Sequence, residues 1–198
     1  MGLRNEQKEY RRLQILQIAL ELFIKKGFFG ASTREISKIA GISSGLMFHY
    51  FASKEALYEA LIERACTIMV LEYTEDCSPI HVFEQKLNQA LQLLSEYPEA
   101  AKTFLFMSTA PYNAANISAK AAEMLAQHDI IRQSIPIIKK GQALGEIRMG
   151  NPHALSIAFW CAIQGIAEQI AFDSDNPIPD ADWIIDIMKN KNYKETST

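Results

Sequence analysis

This chain of 198 residues has only three cysteines, which exclude two common kinds of site. Cys66, Cys77 and Cys161 are odd in number and lack metal-ligand spacing, so neither a disulfide framework nor a zinc site is indicated. The first residues contain no apolar signal region, and the apolar runs are too short and too interrupted to cross a bilayer. We therefore expect a soluble cytoplasmic protein with no membrane partner.

Signatures of catalysis are also missing. The sequence has no nucleophile elbow, no phosphate-cradling glycine loop, no His-x-x-x-His segment and no acidic pair in an apolar setting. The four histidines are His49, His81, His128 and His153. Because they fall on different segments without metal-site spacing, we expect no metal, no cofactor and no enzyme activity.

The alternation of apolar and polar residues that marks β-strands is absent over any length, although 48% of the residues are hydrophobic. The net charge is only -3, but it is unevenly distributed. Residues 1–60 carry nine basic and six acidic side chains, whereas residues 61–198 carry eleven basic and seventeen acidic ones. A basic N-terminal segment joined to an acidic remainder is typical of a protein that contacts DNA at one end.

Two short helices joined by a glycine turn are predicted within residues 32–57. Ser32 is placed to cap the first helix through its hydroxyl, while Glu35 reaches back in a capping box. The apolar stripe of this helix consists of Ile36, Ile39 and Ala40. Gly41 follows where the chain turns through a conformation that disfavours a Cβ atom. This order of cap, stripe and turn indicates a helix-turn-helix, a device that reads DNA.

The second helix of such a pair normally lies in the major groove, while the first crosses the DNA backbone. Ser43 caps this second helix, and Met47 and Phe51 are predicted to turn inward. The candidates to meet base edges are Ser44, Gly45 and Leu46. Leu46 suits a thymine methyl group. The candidates to meet phosphates are Thr33, Arg34, His49, Tyr50 and Lys54.

These residues resemble the N-terminal domain of TetR-family transcriptional regulators over roughly residues 10–62. The matching positions are Leu16, Ala19, Leu22, Phe23, Gly27, Phe28, Ser32, Ile36, Ala40-Gly41-Ile42-Ser43, Gly45, His49-Tyr50-Phe51 and Lys54-Glu55-Ala56-Leu57. The resemblance places Leu46 at a base-facing position, and it places His49, Tyr50 and Lys54 at positions that commonly touch phosphates. Phe48 stands where many members have a tyrosine, so we expect no phosphate contact through a hydroxyl there and a structural role for Phe48.

The resemblance implies an all-α fold of about nine helices, with an N-terminal three-helix head and a larger helical body. The DNA-binding domain would span residues 1–53, and the ligand-binding and dimerisation domain residues 54–198. Capping and breaking signals predict the helix bounds. The first predicted helix covers about 6–26 and ends at Gly27, and a helix over 54–74 links the two domains. One further helix begins at Ser78, and another begins at Tyr97-Pro98 and breaks at Pro111. The remaining helices cover 117–144, interrupted at Pro136, then 151–172 after a linker at 145–151, and finally the residues from about 180.

A stripe of small residues predicts a dimer interface. Ala154, Ala158, Ala162 and Gly165 share one face of a helix, and small residues allow a second helix to approach closely. The last helix would complete the interface with Trp183, Ile184 and Ile187. The alternative interpretation is an ordinary core helix of a monomer. A dimer would bind a palindromic site with two linked heads.

An apolar and aromatic pocket with a few polar anchors is predicted for a moderately hydrophobic small molecule. Its candidate residues are Phe83, Leu87, Phe104, Met107, Tyr112, Met124, His128, Ile131, Phe159, Trp160, Ile163 and Gln164. These side chains have an alternative role as plain core. The resulting prediction is a homodimeric repressor that binds double-stranded DNA at a palindromic operator and is released by an effector. The alternative is an effector-independent or architectural DNA-binding protein.

Overall fold

The computed structural model describes residues 3–68, 71, 73–74 and 76–191 of the chain. This described part contains ten α-helices, a short 3-10 turn at Pro98–Ala100 and no β-strand. The helices are α1 Leu3–Gly30, α2 Thr33–Ile39, α3 Ser44–Tyr50, α4 Lys54–Ile68, α5 Pro79–Glu96, α6 Ala101–Ile117, α7 Ala119–Gln127, α8 Ile130–Ala143, α9 Pro152–Phe172 and α10 Ala181–Ile185. The expectation of an all-α fold is confirmed.

The chain divides into two compact units that do not follow the expected boundary at residue 53. The head unit comprises Met1–Ile68 with Leu105–Gln127, and the body unit comprises Met69–Phe104 with His128–Thr198. The difference arises because α4, most of α6 and all of α7 pack in the same unit as α1 to α3. The assignment of DNA binding to residues 1–53 and of ligand binding to residues 54–198 stays a prediction.

Aromatic side chains from distant parts of the chain meet in the core of the head unit. The ring centroid of Tyr58 on α4 lies 5.6 Å from that of Phe23, 5.4 Å from that of Phe28 and 5.0 Å from that of Phe106 on α6. Burial raises the pKa of the Tyr58 hydroxyl to about 12. These contacts join α6 to the first part of the chain through apolar surface withdrawn from water.

The body unit has a separate core between α5, α8 and α9. Phe83, Leu87 and Phe159 are fully buried there, and the rings of Phe83 and Phe159 lie 5.3 Å apart in an edge-to-face arrangement. The edge-to-face geometry is the favoured one for paired aromatic rings. The side chains of this core therefore pack closely against one another.

The segment 145–151, expected to be a linker, is an ordered part of the body unit. The buried carboxylate of Glu146 accepts hydrogen bonds from Ser78 Oγ at 2.8 Å and from the Ile80 backbone N–H at 3.1 Å, at the start of α5. Ile147 is fully buried and forms an isolated antiparallel bridge with Lys189. A carboxylate at a helix N-terminus satisfies free backbone donors and complements the helix dipole.

Three helix bounds differ from those predicted. The predicted link 54–74 ends at Ile68, since the described residues Leu71, Tyr73 and Thr74 are not helical; Met69, Val70 and Glu72 lie outside the described residues. Pro111 does not end α6, which continues to Ile117. The predicted helix 117–144 is two helices, because the Asp129 carboxylate caps a new start by accepting from the Arg132 N–H.

Two prolines that were predicted to break or interrupt helices lie inside continuous helices. Pro111 lies within α6 and Pro136 within α8, and both helices run past their proline. A proline removes one helical hydrogen bond and crowds the preceding turn, which bends a helix without always ending it. Gly27 behaves as predicted: its φ of 70° breaks the helical run, and the last turn of α1 follows it.

Candidate nucleic-acid interface

Two serine caps begin the helices of the helix-turn-helix as predicted. Ser32 Oγ accepts a hydrogen bond from the Glu35 N–H at 3.2 Å, and Ser43 Oγ accepts one from the Leu46 N–H at 3.1 Å. Gly41 has a φ of 65° in the turn between α2 and α3, where glycine carries no Cβ penalty. The Glu35 carboxylate, expected to complete a capping box, instead accepts from Lys26 Nζ at 2.5 Å.

Buried contacts fix α3 against α2. Met47 is fully buried, and the Ser37 hydroxyl lies 3.1 Å from its sulfur. Ile36 is buried as predicted, but Ile39 is 56% exposed, so its assignment to the inward stripe is wrong. The inward direction of α2 lies between Ile36 and the buried Ser37, and Ile39 points more than one residue step, about 100°, away from it. Packing of Met47 leaves the opposite side of α3 exposed.

The outward side of α3 has a defined order of side chains. Because each helical residue turns by about 100°, Gly45 and His49 lie opposite the buried Met47, with Leu46 on one flank and Phe48 on the other. Leu46 is 43% exposed and Phe48 is 49% exposed. The expectation that Phe48 is structural is therefore wrong, and Phe48 is a candidate contact that sequence reasoning missed. Its neighbour Met47 already fills the buried position of this short helix.

Gly45 leaves open space at the centre of this outward side. A Cβ atom built at Gly45 would have no protein atom within 4 Å. Ser44 and His49 are exposed next to it, and the His49 ring lies 6.0 Å from that of the partly buried Tyr50. The backbone of α3 can therefore approach a flat or convex partner closely at this point.

Lys54 makes contacts that the sequence did not indicate. Its Nζ donates to the backbone carbonyls of Phe28 at 2.8 Å and Ala31 at 3.0 Å, and it lies 4.3 Å above the Phe28 ring centroid. An ammonium group here satisfies carbonyls around the end of α1 and complements its dipole. The predicted phosphate contact through Lys54 stays a prediction, and two of its three N–H donors are already used.

The remaining candidate contacts lie on α2 and α1. Arg34 is exposed near the start of α2, and Thr33 beside it is half-buried, with its backbone carbonyl accepting from the Ser37 hydroxyl at 2.8 Å. The guanidinium of Arg12 on α1 lies 5.2 Å from the Phe51 ring centroid just after α3. A positive charge is thus held next to the outward-facing helix, where it would favour an anionic partner.

The predicted ligand residues are distributed over both units, and their shared pocket stays a prediction. Five of them are buried core side chains of the body unit: Phe83, Leu87, Phe104, Phe159 and Ile163. Met107, Tyr112 and Met124 belong to the head unit, where Tyr112 is 83% exposed. His128 is exposed and Ile131 half-buried in the body unit. Periodicity alone cannot separate a packed core from a cavity wall, because both are apolar at the same spacing.

Two residues predicted to line this pocket have hydrogen-bond partners within the body unit. Trp160 Nε1 donates to the Ser134 hydroxyl at 2.8 Å. Gln164 Nε2 donates to the Phe104 carbonyl at 3.0 Å and to Glu168 Oε1 at 3.2 Å. These hydrogen bonds hold the side chains in place, and a ligand would have to compete with them.

The face of α9 that carries the small residues is open in the single chain. Ala154, Ala158 and Gly165 are exposed, Ala162 is half-buried, and Ile157 beside them is 42% exposed. On α10 and just after it, Trp183 is 72% exposed, whereas Ile184 and Ile187 are half-buried. The stripe is therefore not an ordinary core face.

Helix α9 corrects one expectation about membranes. Its 21 residues are long and apolar enough to span a bilayer by length and composition, although apolar runs were expected to be too short. Only 28% of its most apolar stretch is buried. One such helix is weak evidence for a membrane span, because apolar helices of soluble proteins have the same length and composition. Within the described residues, no cluster of His, Cys, Asp and Glu could hold a metal ion.

Sequence comparisons identify the head. Residues 15–61 match the family model for bacterial regulatory proteins of the tetR family. The chain is 30% identical to the transcriptional regulator RutR of Escherichia coli K12 over 106 residues, which are 52% of this chain and 50% of RutR. It is 34% identical to the regulator UidR of the same strain over 85 residues, or 43% of each chain. The chain thus spans about half the length of the curated relatives it matches.

Solved structures agree over most of the chain. A TetR-like regulator from Rhodococcus sp. RHA1 has a TM-score of 0.67 at 19% identity and covers 89% of this chain and 92% of its own. AibR, solved with isovaleryl coenzyme A and operator DNA, has a TM-score of 0.67 at 17% identity, covering 89% and 94%. Residues 15–61 are thus similar to the N-terminal domain of the tetR family of bacterial regulatory proteins, and the chain shares the fold of these solved regulators.

Proposed function

We propose that the chain is a homodimeric transcriptional repressor that binds a palindromic operator through α3 and is released by a small molecule. The observation that carries DNA binding is the open outward side of α3, held by two serine caps and centred on Gly45. The match of residues 15–61 to the tetR family model supports a regulator rather than an enzyme. A cytoplasmic location follows from this function, because the operator lies in the bacterial cytoplasm.

DNA binding is tested by selection from random double-stranded DNA, followed by titration against salt. We expect a two-fold symmetric motif with half-sites separated by roughly one helical turn, about 34–36 Å. The logarithm of affinity should fall linearly with the logarithm of salt concentration, because phosphate contacts release counterions. Salt-dependent binding without sequence preference would instead favour the architectural alternative.

The dimer proposal rests on the exposed small residues of α9. Two copies packed through this face would bury Ala158 and the exposed thiol of Cys161. A carboxylate introduced at such a position would be buried without a partner, which is strongly unfavourable. In a single chain, the same carboxylate would stay in water.

We therefore expect Ala158→Glu to convert the dimer to monomers, as measured by analytical ultracentrifugation. The thermal stability of the protomer should change little. Asn88→Glu, at an exposed position of α5, is the matched control and should leave the dimer intact.

A thiol reagent gives a second measurement of the dimer interface. Cys77 should react fast in the wild type and in Ala158→Glu, whereas Cys161 should react fast only in the monomeric Ala158→Glu protein. Cys66 should react slowly, since burial raises the pKa of its thiol. A monomeric wild type, or a dimer in which Cys161 reacts fast, would contradict the assignment.

Effector binding is proposed for the body unit, where Phe83, Phe159 and Trp160 form an aromatic cluster. Because these side chains are packed, a ligand would have to displace some of them. AibR has been solved with isovaleryl coenzyme A, so acyl coenzyme A thioesters belong in a thermal-shift panel of moderately hydrophobic small molecules. A ligand present at a hundred times its Kd should stabilise the protein by about 2.7 kcal/mol. Stabilisation by no compound, with tight operator binding retained, would favour the effector-independent alternative.

Contacts within the head unit support α4 as the element that carries an effector signal. Glu59 on α4 accepts a hydrogen bond from Ser118 Oγ at 2.5 Å and pairs with Lys120 Nζ at 3.4 Å. Ser118 directly follows α6, a continuous helix that begins in the body unit at Ala101. A shift of α6 would therefore pull on α4 through Glu59. Equal amide exchange rates in α4 with and without a stabilising effector would refute this route.

A further inference from the structure

Phe48 combines an apolar side chain with an exposed position on the helix proposed to enter the major groove. We propose that Phe48 reads the C5-methyl group of a thymine, so that the operator half-site carries thymines on both flanks of α3. Leu46 would contact one and Phe48 the other. This inference rests on the proposed DNA binding and goes beyond it by naming a base and a chemical group.

The arrangement of α3 gives Phe48 a direction. Met47 is fully buried, and Phe48 is turned about 100° from it. Leu46 is turned by the same angle the other way, and Gly45 and His49 lie between them on the outward side. When the outward side faces the floor of a groove, the two flanks face its two walls. Thymine methyl groups project near the wall formed by their own strand.

The chemistry of Phe48 restricts its partner. Its ring has no hydroxyl, so it cannot donate a hydrogen bond to a phosphate as a tyrosine could. Its side chain is 49% exposed, and covering this apolar surface is favourable. The thymine methyl is the apolar group that base edges present in the major groove. A contact with it would therefore bury apolar surface on both the ring and the base.

Gly45 provides the clearance that this contact needs. No protein atom lies within 4 Å of a Cβ built at Gly45, so the outward side of α3 has open space at this position. The helix backbone can then approach the base edges more closely than a helix with a side chain there. The flanking residues Leu46 and Phe48 reach the groove walls from this position.

The test is a double-mutant cycle between protein and DNA. After selection of the preferred duplex, each conserved thymine is replaced in turn by deoxyuridine, which removes only the C5-methyl group. For the wild type, we expect each half-site to have two sensitive thymines, one for Leu46 and one for Phe48, and replacement of the thymine that contacts Phe48 in one half-site should weaken binding about fourfold, the ratio for one methyl-sized apolar group. In Phe48→Ala the penalty at that position should vanish, whereas Phe48→Tyr, which keeps the ring, should retain it.

Ile39→Ala is the matched control, because Ile39 is an exposed apolar residue of the head outside α3. It should leave every deoxyuridine penalty unchanged. A penalty that persists in Phe48→Ala, or a loss of affinity in Phe48→Ala that is the same for thymine and deoxyuridine, would overturn the inference and leave DNA binding intact. Failure of the wild type to select any sequence would instead overturn the proposed function.

Discussion

Substitution of Gly141 by alanine is expected to lower the free energy of unfolding by about 1–3 kcal/mol, the usual cost of overpacking a core. A Cβ at Gly141 would lie 2.6 Å from Ile147 Cδ1, 2.7 Å from Ile147 Cγ1 and 3.1 Å from Pro79 Cβ. Ile147 cannot move aside easily, because it is fully buried and its backbone is held by the bridge to Lys189. The sign of the effect is diagnostic, since glycine to alanine in a helix otherwise stabilises by about 1 kcal/mol.

Denaturant unfolding followed by circular dichroism measures this effect. Gly45→Ala is the control, because its new methyl group meets no protein atom, and it should not lower stability. If Gly141→Ala is as stable as the wild type, α8 does not pack against the ordered segment at 145–151 as closely as described. A shift of about 3–10 °C in Tm is the corresponding thermal effect for a chain of this size.

Replacement of Lys54 by methionine is expected to destabilise the protein by about 1.5–3 kcal/mol, the range for hydrogen bonds that involve a charged group. The change leaves the carbonyls of Phe28 and Ala31 without this donor and removes the charge above the Phe28 ring. A methionine keeps a side chain of similar length, so the loss reports the ammonium group. Operator affinity should fall as well, because α1, α2 and the start of α4 lose their common anchor.

The salt dependence of operator binding separates this role from a phosphate contact. A purely structural Lys54 should change stability and leave the slope of log affinity against log salt unaltered, whereas loss of a phosphate contact should flatten it by about one unit. Lys38→Met, at an exposed position near the end of α2, should change stability by less than about 0.5 kcal/mol. Unchanged stability of Lys54→Met together with a flatter slope would restore the original assignment.

Local signals in the sequence predicted the local structure of the head. Ser32 and Ser43 cap their helices, Gly41 makes the turn and Met47 is buried. Each of these features could be predicted because it depends on residues that are close in the sequence. Partners of long charged side chains were not predictable in this way. Lys54 binds carbonyls more than twenty residues away, and such contacts depend on how helices pack rather than on spacing.

The same distinction explains the differences outside the helix-turn-helix. Proline at position 111 predicted a break because it lacks an N–H, but α6 continues through it, with Ala110 and Ala114 on either side buried in the core of the head unit. Glu146 gave no signal as a cap for α5, since its partners Ser78 and Ile80 are distant in sequence. The ligand residues were chosen by their apolar and aromatic chemistry and by the family resemblance, and a packed core contains the same kinds of side chain, so this assignment stays a prediction. Only the exposed stripe on α9 could be separated from a core by its unusually small side chains.

The composition of the head unit limits how regulators of this kind can be recombined. Its core takes Leu57 and Tyr58 from α4 and Phe106, Ala110 and Ala114 from α6. A transplant of the first 53 residues onto a foreign body would leave the apolar sides of α1 to α3 uncovered. The transferable piece is discontinuous in sequence, so a chimera that changes operator specificity without losing solubility has to carry α4, the later part of α6 and α7 along with the reading helices.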